Sequence, residues 1–123
     1  MKEYGKELIL DLHECNPAKF TRYHINKFFK ELCLEIDMEA CKIAWWDYKD
    51  YLDEYDKAPI HLKGTSAIQF ISTSNITIHA LDGMKQVYLN IFSCKDFNES
   101  DAIIFCTKYF EANSYTFQTI YRT

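Results

Sequence analysis

Hydrophobic residues recur along this chain with two periods, and the two periods predict different elements. A period of two places alternate side chains on one face of a strand. It predicts strands over residues 7–12, 40–48, 66–72, 76–78, 86–93 and 115–121. A period of three to four predicts two amphipathic helices, the first running to Ile36 and the second covering Asn98–Phe110.

Capping residues give these helices their predicted ends. Asn16 is suited to cap the first helix with Pro17 at its first position. The apolar stripe of that helix comprises Ile25, Phe28, Phe29, Leu32, Cys33 and Ile36. Asn98 or Ser100 is suited to cap the second helix, and its inner stripe comprises Ala102, Ile103, Cys106 and Phe110. Between the helices, Asp82-Gly83 signals a hairpin turn.

The order of elements predicts an α+β fold. One strand, one helix, several strands, a second helix and a last strand lack the regular alternation that a parallel sheet needs. We therefore expect a two-layer sandwich, in which an antiparallel β-sheet carries two helices packed on one face. A length of 123 residues predicts a single domain, residues 1–123. The other sheet face is left uncovered, which favours a homodimer.

Composition and charge exclude several classes of partner. The formal net charge is −4 and the pI is near 5.5, and the chain has no cluster of Lys and Arg. We therefore expect no nucleic acid and no anionic membrane as partner. The densest charge, residues 47–57, is acidic and tyrosine-rich, and it is interpreted as a solvated strand end and loop, with an acidic interaction patch as the alternative.

The cysteines and the N-terminal residues bear on metals and location. The five cysteines form no C-x-x-C pair and have no His partner at metal-binding spacing, so we expect no metal site. The first residues contain no apolar core of a signal peptide, and no apolar run approaches the length of a membrane span. A reducing cytoplasm is the expected location.

Candidate chemistry is concentrated between Gly64 and Cys94. A polar break at residues 72–75 contains Ser74, the next strand carries His79, and Cys94 follows the strand after it. Peptide self-cleavage needs a hydroxyl placed against the preceding carbonyl, a strained turn and a proton donor. From composition alone, the same residues are also explained as hairpin-turn residues, a half-buried histidine and a small buried thiol.

Several segments together resemble the small prokaryotic S-adenosylmethionine decarboxylases, the pyruvoyl enzymes of spermidine synthesis. The similar segments are Gly5-Lys6-Glu7-Leu8, Glu14-Cys15, Gly64-Thr65-Ser66, Ser72-Thr73-Ser74, Ile76-Thr77-Ile78-His79 and Ile91-Phe92-Ser93-Cys94. The resemblance covers nearly the whole chain and includes the family spacing among Ser66, Ser74, His79 and Cys94.

This resemblance implies a role for each of those residues. Ser74 is expected to attack the carbonyl of Thr73, so that the chain cleaves between 73 and 74 and leaves a pyruvoyl group derived from Ser74. Ser66 and His79 are expected to assist processing, and Cys94 to protonate the substrate carbon after carbon dioxide leaves. The pyruvoyl carbonyl is expected to hold the substrate amine as a Schiff base and to act as electron sink, without a metal.

Four neighbours depart from the family pattern. Thr73 and Asn75 stand where the family has glutamate and histidine, and Leu81 and Gly83 stand where it has an aromatic ring and a glutamate for the substrate nucleoside. Leu81 occupies the position expected to contact adenine, and Asp82, one residue before Gly83, is the acidic side chain expected to reach the ribose.

S-Adenosylmethionine is the substrate that the resemblance implies, and two alternatives stay open. One is the decarboxylation of arginine or ornithine, whose positive charge the acidic side chains of Asp53, Glu54 and Asp56 could attract. The other is a non-processing binding or regulatory relative, for which the changed neighbours of Ser74 are the main argument.

Overall fold

The fold was analysed in a computed structural model, which describes residues 3–123. The strands are β1 (Gly5–His13), β2 (Ala40–Trp46), β3 (Gly64–Ile71), β4 (Ser74–Leu81), β5 (Gln86–Ser93) and β6 (Ser114–Arg122). The helices are α1 (Arg22–Glu35), α2 (Leu52–Lys57) and α3 (Glu99–Tyr109), with short 3₁₀ turns at Pro17–Lys19 and Ile60–Leu62. The strands form one sheet in the order β2-β3-β4-β5-β1-β6. Every neighbouring pair is antiparallel.

The core lies between one face of this sheet and the helices α1 and α3. Alternate residues of β1, β4 and β5 point into it, and the predicted stripes of both helices meet them there. Phe28 of α1 packs against Phe110 with ring centroids 4.7 Å apart, and both rings are fully buried. Burying a large apolar side chain contributes about 1.5–3 kcal/mol. The predicted α+β sandwich, with two helices on one face of an antiparallel sheet, is confirmed.

The first helix begins later than the sequence predicts. Asn16 does cap a turn, because its side chain accepts the Ala18 N–H at 3.0 Å, but this turn is the short 3₁₀ segment Pro17–Lys19. The α-helix starts at Arg22 after Thr21, whose hydroxyl accepts the His24 N–H at 3.3 Å. Two capping side chains five residues apart thus divide the segment into a turn and a helix.

The acidic segment also differs from its prediction. Strand β2 ends at Trp46, and the following residues are not only loop but include the short helix α2. Asp53 and Glu54 lie in its first turn and Lys57 in its last, which is the favourable orientation for the helix dipole.

The second sheet face is largely open to solvent and is called the open face below. By register it carries Trp46, Phe70 and Ile120, whose side chains are 80%, 45% and 41% exposed. These three residues lie on β2, β3 and β6, so exposed apolar side chains are spread across the open face from one edge of the sheet to the other.

Candidate active site

The turn between β3 and β4 contains the predicted cleavage position. Ser72 and Thr73 form a two-residue hairpin turn, and Ser74 is already the first residue of β4. In the sheet register, Ser74 lies opposite Ile71 on one side and Ser93 on the other. Only Ser72 and Thr73 of the predicted polar break are turn residues, because Ser74 and Asn75 already pair with the neighbouring strands.

The Thr73–Ser74 peptide is held by several hydrogen bonds. The Cys94 N–H donates to the Thr73 carbonyl oxygen at 3.2 Å. The Thr73 hydroxyl lies 2.8 Å from the hydroxyl of Ser93, and the Asn75 amide donates to the Ser74 hydroxyl at 3.2 Å. A donor on the Thr73 carbonyl polarises it, and it lies where negative charge would develop if a nucleophile attacked that carbon.

Cys94 follows β5 and is exposed, beside the same turn. A Cβ on Gly5 would lie 2.3 Å from the Ser93 carbonyl oxygen, so only glycine lets β1 approach the end of β5 so closely. A small cavity of about 150 Å³ adjoins the thiol and is lined in part by Tyr4, Lys6 and Cys94. The hydrogen bond to the Cys94 thiol raises the pKa of the Tyr4 hydroxyl.

A buried ammonium group supports this end of the sheet. Lys6 is 7% exposed, donates to the Phe97 carbonyl, and contacts Glu99 at 2.5 Å and Asp96 at 2.8 Å. Burial alone lowers the pKa of Lys6, but the hydrogen bonds to Asp96 and Glu99 outweigh it and the pKa is raised. The same contacts lower the pKa of both carboxylates. Lys6 thereby ties β1 to the start of α3, directly beside Ser93.

Ser66 and His79 form a second pair on the open face. They lie opposite each other in the β3–β4 register, and the Ser66 hydroxyl is 2.6 Å from His79 Nδ1. A depression of about 340 Å³ adjoins them, with Trp46 and Tyr88 among its lining side chains. The imidazole is half-buried and has an open approach from the depression.

Within one chain, the two groups lie apart. Ser74 and His79 are five residues apart on β4, which is about 16 Å at the strand rise of about 3.3 Å per residue. Ser74 shares its register row with buried Ile71 and Ser93, whereas His79 is on the open face. The fold thus brings Ser74 to Cys94 and Ser66 to His79, but it does not bring the four together.

Comparison with known proteins relates this arrangement to a family. The sequence model described as S-adenosylmethionine decarboxylase matches residues 6–123. The chain belongs to the S-adenosylmethionine decarboxylase family. Members of this family are pyruvoyl-dependent carboxy-lyases of polyamine biosynthesis, so the predicted family, enzyme class and main function are confirmed. The alternatives of another amino-acid substrate or a non-catalytic relative are not favoured.

One solved structure has a similar fold. The adenosylmethionine decarboxylase from Aquifex aeolicus VF5 superposes with a TM-score of 0.77 at 13% identity, over 98% of this chain and 91% of that one. At this identity the likeness concerns the fold. Among curated proteins, none matches the sequence.

The pyruvoyl group of the family fits the turn described above. Such a group replaces a serine whose preceding peptide bond has been cleaved, and here the serine follows a carbonyl that already accepts a hydrogen bond. The nearby groups are a backbone N–H, hydroxyls and a thiol, all of which can donate hydrogen bonds to a carbonyl group. Within residues 3–123, no three His, Cys, Asp or Glu side chains are grouped closely enough to hold a metal ion.

The two predicted substrate-binding residues have different environments. Leu81 is buried at 3% exposure, so its side chain offers almost no surface to a ligand within this chain. Asp82 is half-buried, accepts the Tyr55 hydroxyl at 2.9 Å, and lines a cleft of about 830 Å³. Burial raises the pKa of Asp82, although the hydrogen bond from Tyr55 opposes the shift. At Gly83, the Ile60 side chain fills the space that a Cβ would occupy, 2.7 Å away.

Sequence reasoning missed Lys6 and Ser93, although a signal was present. Both occupy inward positions of strands whose other inward residues are apolar: Lys6 precedes Leu8, and Ser93 follows Ile91. A polar residue that breaks an inward alternation must find partners in the interior. The cysteines away from the turn carry no such signal, and burial raises the pKa of both Cys15 and Cys33 to about 11.

None of the helices formed by the described residues is both long and apolar enough to cross a membrane.

Proposed function

We propose that this chain is a self-processing S-adenosylmethionine decarboxylase whose pyruvoyl group derives from Ser74. The observation that carries the proposal is the hydrogen bond from the Cys94 N–H to the Thr73 carbonyl, directly before the candidate nucleophile. This N–H is suited to stabilise the oxyanion that forms when the Ser74 hydroxyl attacks. The changed neighbours, Thr73 and Asn75, both hydrogen-bond within this arrangement.

The proposed cleavage balances without any outside oxidant. Ser74 Oγ bonds to the Thr73 carbonyl carbon, the Thr73–Ser74 C–N bond breaks, and the hydroxyl proton passes to the freed Ser74 nitrogen. A base then removes the Cα proton of residue 74, the Cβ–Oγ bond breaks, and Thr73 departs as a carboxylate. The resulting dehydroalanine tautomerises to an imine, and water releases ammonia to leave the pyruvoyl group.

After processing, Cys94 lies where a proton is needed. A pyruvoyl carbonyl supplies an electrophile for the substrate amine and takes up the electrons released when carbon dioxide leaves. The Cys94 thiol is exposed at the turn, so we propose that it donates the proton that replaces the lost carboxyl group. Tyr4 lines the same small cavity as this thiol.

We propose that the complete site is formed by a homodimer. His79 is about 16 Å from Ser74 in its own chain, too far to act as a base on residue 74. Face-to-face packing of two open faces would cover Trp46, Phe70 and Ile120, and it would allow Ser66 and His79 of one chain to approach the turn of the other. A two-fold axis forms both sites at once.

The depression beside His79 is the proposed substrate pocket. Leu81 cannot stack on adenine because it is buried, whereas Trp46 lies opposite Ser66 in register and Tyr88 lies opposite His79. Trp46 and Tyr88 are therefore proposed to supply the aromatic surface for adenine. Asp82 lines the separate cleft of about 830 Å³ and not this depression, so its carboxylate is not proposed to bind the ribose of a substrate held here. The cytoplasm is the proposed location.

Intact-mass measurement of the purified protein tests the proposal. Incubation should convert the 14.6 kDa chain into two fragments split between Thr73 and Ser74, the second beginning with a pyruvoyl group. Ser74→Ala should stay whole. Cys94→Ala should still cleave, because its backbone N–H remains, but it should release little carbon dioxide from S-adenosylmethionine.

Two outcomes would contradict the proposal. A single uncleaved species after long incubation would exclude self-processing under those conditions and favour a non-catalytic relative. Cleavage of Ser74→Ala at the same bond would assign the cut to an outside protease.

A further inference from the structure

The side chain of Thr73 has a fixed place beside the bond that is proposed to break. Thr73 Oγ1 is 2.8 Å from Ser93 Oγ, and Ser93 is 1% exposed at the inward end of β5. We infer that Ser93 is a positioning residue for self-cleavage, which holds the Thr73–Ser74 peptide through the Thr73 hydroxyl. The inference rests on the proposed function of this site and adds a residue to it.

The surrounding partners account for both hydroxyl protons of this contact. Ser93 Oγ accepts the Lys95 N–H at 3.0 Å, so one acceptor site of the hydroxyl is occupied. Met38 Sδ lies 3.5 Å from the Thr73 hydroxyl and 3.6 Å from the Ser93 hydroxyl, and it can accept from either. One hydroxyl therefore donates to the other while the second donates to the sulfur, and all polar atoms of the buried pair have partners.

Ser93, the last residue of β5, and Cys94, which follows it, hold Thr73 at two points. Ser93 binds its side chain, and the Cys94 N–H binds its carbonyl oxygen at 3.2 Å. Two anchors fix the orientation of the peptide plane, whereas a single anchor would let it rotate about the hydrogen bond. Fixing the carbonyl relative to the Ser74 hydroxyl lowers the entropic part of the barrier to attack.

This arrangement depends on the residue that departs from the family pattern. A hydroxyl at position 73 reaches Ser93 and Met38 as a neutral group. A carboxylate there would place a charge against a thioether, which offers no hydrogen-bond donor. Threonine at 73 and serine at 93 thus form a matched pair in this chain.

Cleavage rates of four variants test the inference. We expect Ser93→Ala and Thr73→Val each to slow first-order cleavage by about tenfold or more, because either change frees the peptide at one anchor. The double variant should be no slower than the slower single variant, since both changes remove one contact. Thr73→Ser should retain cleavage within about threefold of the wild type, because it keeps the hydroxyl.

The matched control is Ser72→Ala, at the exposed neighbouring turn residue, which should cleave at the wild-type rate. Thermal unfolding of each variant identifies any that loses the fold, and Thr73→Val keeps the test valid if Ser93→Ala unfolds. Hydroxylamine cleaves the ester intermediate and converts Thr73 to a hydroxamate. Slower ester formation in Ser93→Ala therefore lowers the yield of the fragment that ends in a Thr73 hydroxamate, which mass distinguishes from the carboxylate left by elimination.

The possible results separate the two claims. Wild-type cleavage together with full-speed cleavage of folded Ser93→Ala would overturn the positioning role alone. A double variant slowed by the product of the two single effects would also overturn it, because the residues would then act independently. A wild-type chain that never cleaves would overturn the proposed function, and this inference with it.

Discussion

The two ends of the β3–β4 hairpin carry similar residue types but are built differently. At the turn end, Thr73 is fixed by Ser93 and Cys94 at adjacent positions, and Lys6 braces the strands behind them. At the far end, His79 has one side-chain partner, Ser66, and faces an open depression. The turn end is arranged to hold one bond in one orientation, whereas the far end is arranged to receive something from outside. This difference supports the proposal that each chain presents two separate halves of a site.

The largest effect, on self-cleavage, is expected when intact Ser74 and intact His79 are supplied by different chains. Ser74→Ala and His79→Ala proteins should each fail to self-process alone. After unfolding and refolding together, mixed dimers would contain one site with both Ser74 and His79, and the His79→Ala chain should then be cleaved. Intact mass distinguishes the two chains and follows this all-or-none recovery.

A matched mixture controls the complementation. Ser74→Ala refolded with a Ser74→Ala/His79→Ala chain has no intact Ser74 and should never cleave. If His79→Ala alone cleaves at the wild-type rate, or if the mixture gives no recovery, the division of the site between two chains is wrong.

The next-largest effect is expected on folding stability, when the ion pairs of Lys6 behind the turn end are removed. Lys6→Met should lower the free energy of unfolding by about 2 kcal/mol, because it leaves the Phe97 carbonyl and the part-buried Glu99 carboxylate without their charged donor. The lowered pKa values of Asp96 and Glu99 contribute stability above their unfolded pKa values of about 4, and this is lost as pH falls through the folded values. The difference between wild type and Lys6→Met should therefore shrink in urea unfolding below pH 4.

Lys19→Met is the control for Lys6→Met. Within residues 3–123, the Lys19 ammonium lies 5.5 Å from the Tyr109 ring centroid and makes no salt bridge. Its replacement should change stability by less than about 1 kcal/mol at every pH. An equal loss in both variants would mean that the Lys6 ion pairs contribute little.

The two regions also differ in how far the sequence predicts them. The strand and helix stripes, including Val87, Leu89 and Ile91 of β5, follow from periodicity because burial of one face determines register. Reactive residues could be proposed from family spacing, but that spacing does not show that Ser74 and His79 lie on one extended strand, about 16 Å apart. Lys6 and Ser93 were missed because their partners come from α3 and the β3–β4 turn, which are far from them in sequence. Hydrophobic periodicity does not predict contacts between segments that are distant in sequence, nor contacts with a partner chain.

A smaller effect is expected at the far end, in substrate binding. Trp46→Ala should raise KM for S-adenosylmethionine about fivefold and leave kcat nearly unchanged, since it removes a stacking contact of about 1 kcal/mol and no reacting group. Carbon dioxide release from labelled substrate measures both constants. Tyr115→Ala, which removes a 46% exposed ring on the other sheet face, is the control. An unchanged KM in Trp46→Ala would mean that adenine does not stack on Trp46.

The smallest effect is expected at Asp82, where burial and hydrogen bonding oppose each other. Because the folded pKa of Asp82 is raised, its charged form costs stability above that pKa, and the cost disappears below the unfolded pKa of about 3.9, where both states are protonated. Asp82→Asn keeps an acceptor for the Tyr55 hydroxyl and removes the charge. It should therefore stabilise the fold by less than about 1 kcal/mol at pH 7 and by nothing at pH 3.

Asp56→Asn makes the same charge change on the exposed surface of α2 and is the control for Asp82. It should change stability little at either pH. Destabilisation by Asp82→Asn at pH 7 would mean that the carboxylate has a favourable charged partner, and the far end would then be braced by charge as the turn end is by Lys6. If Asp82→Asn instead stabilises the fold at pH 7 and this gain disappears toward pH 3, stabilising ion pairs would be confined to the turn end. That is the end where the bond to be cleaved must be held in one orientation.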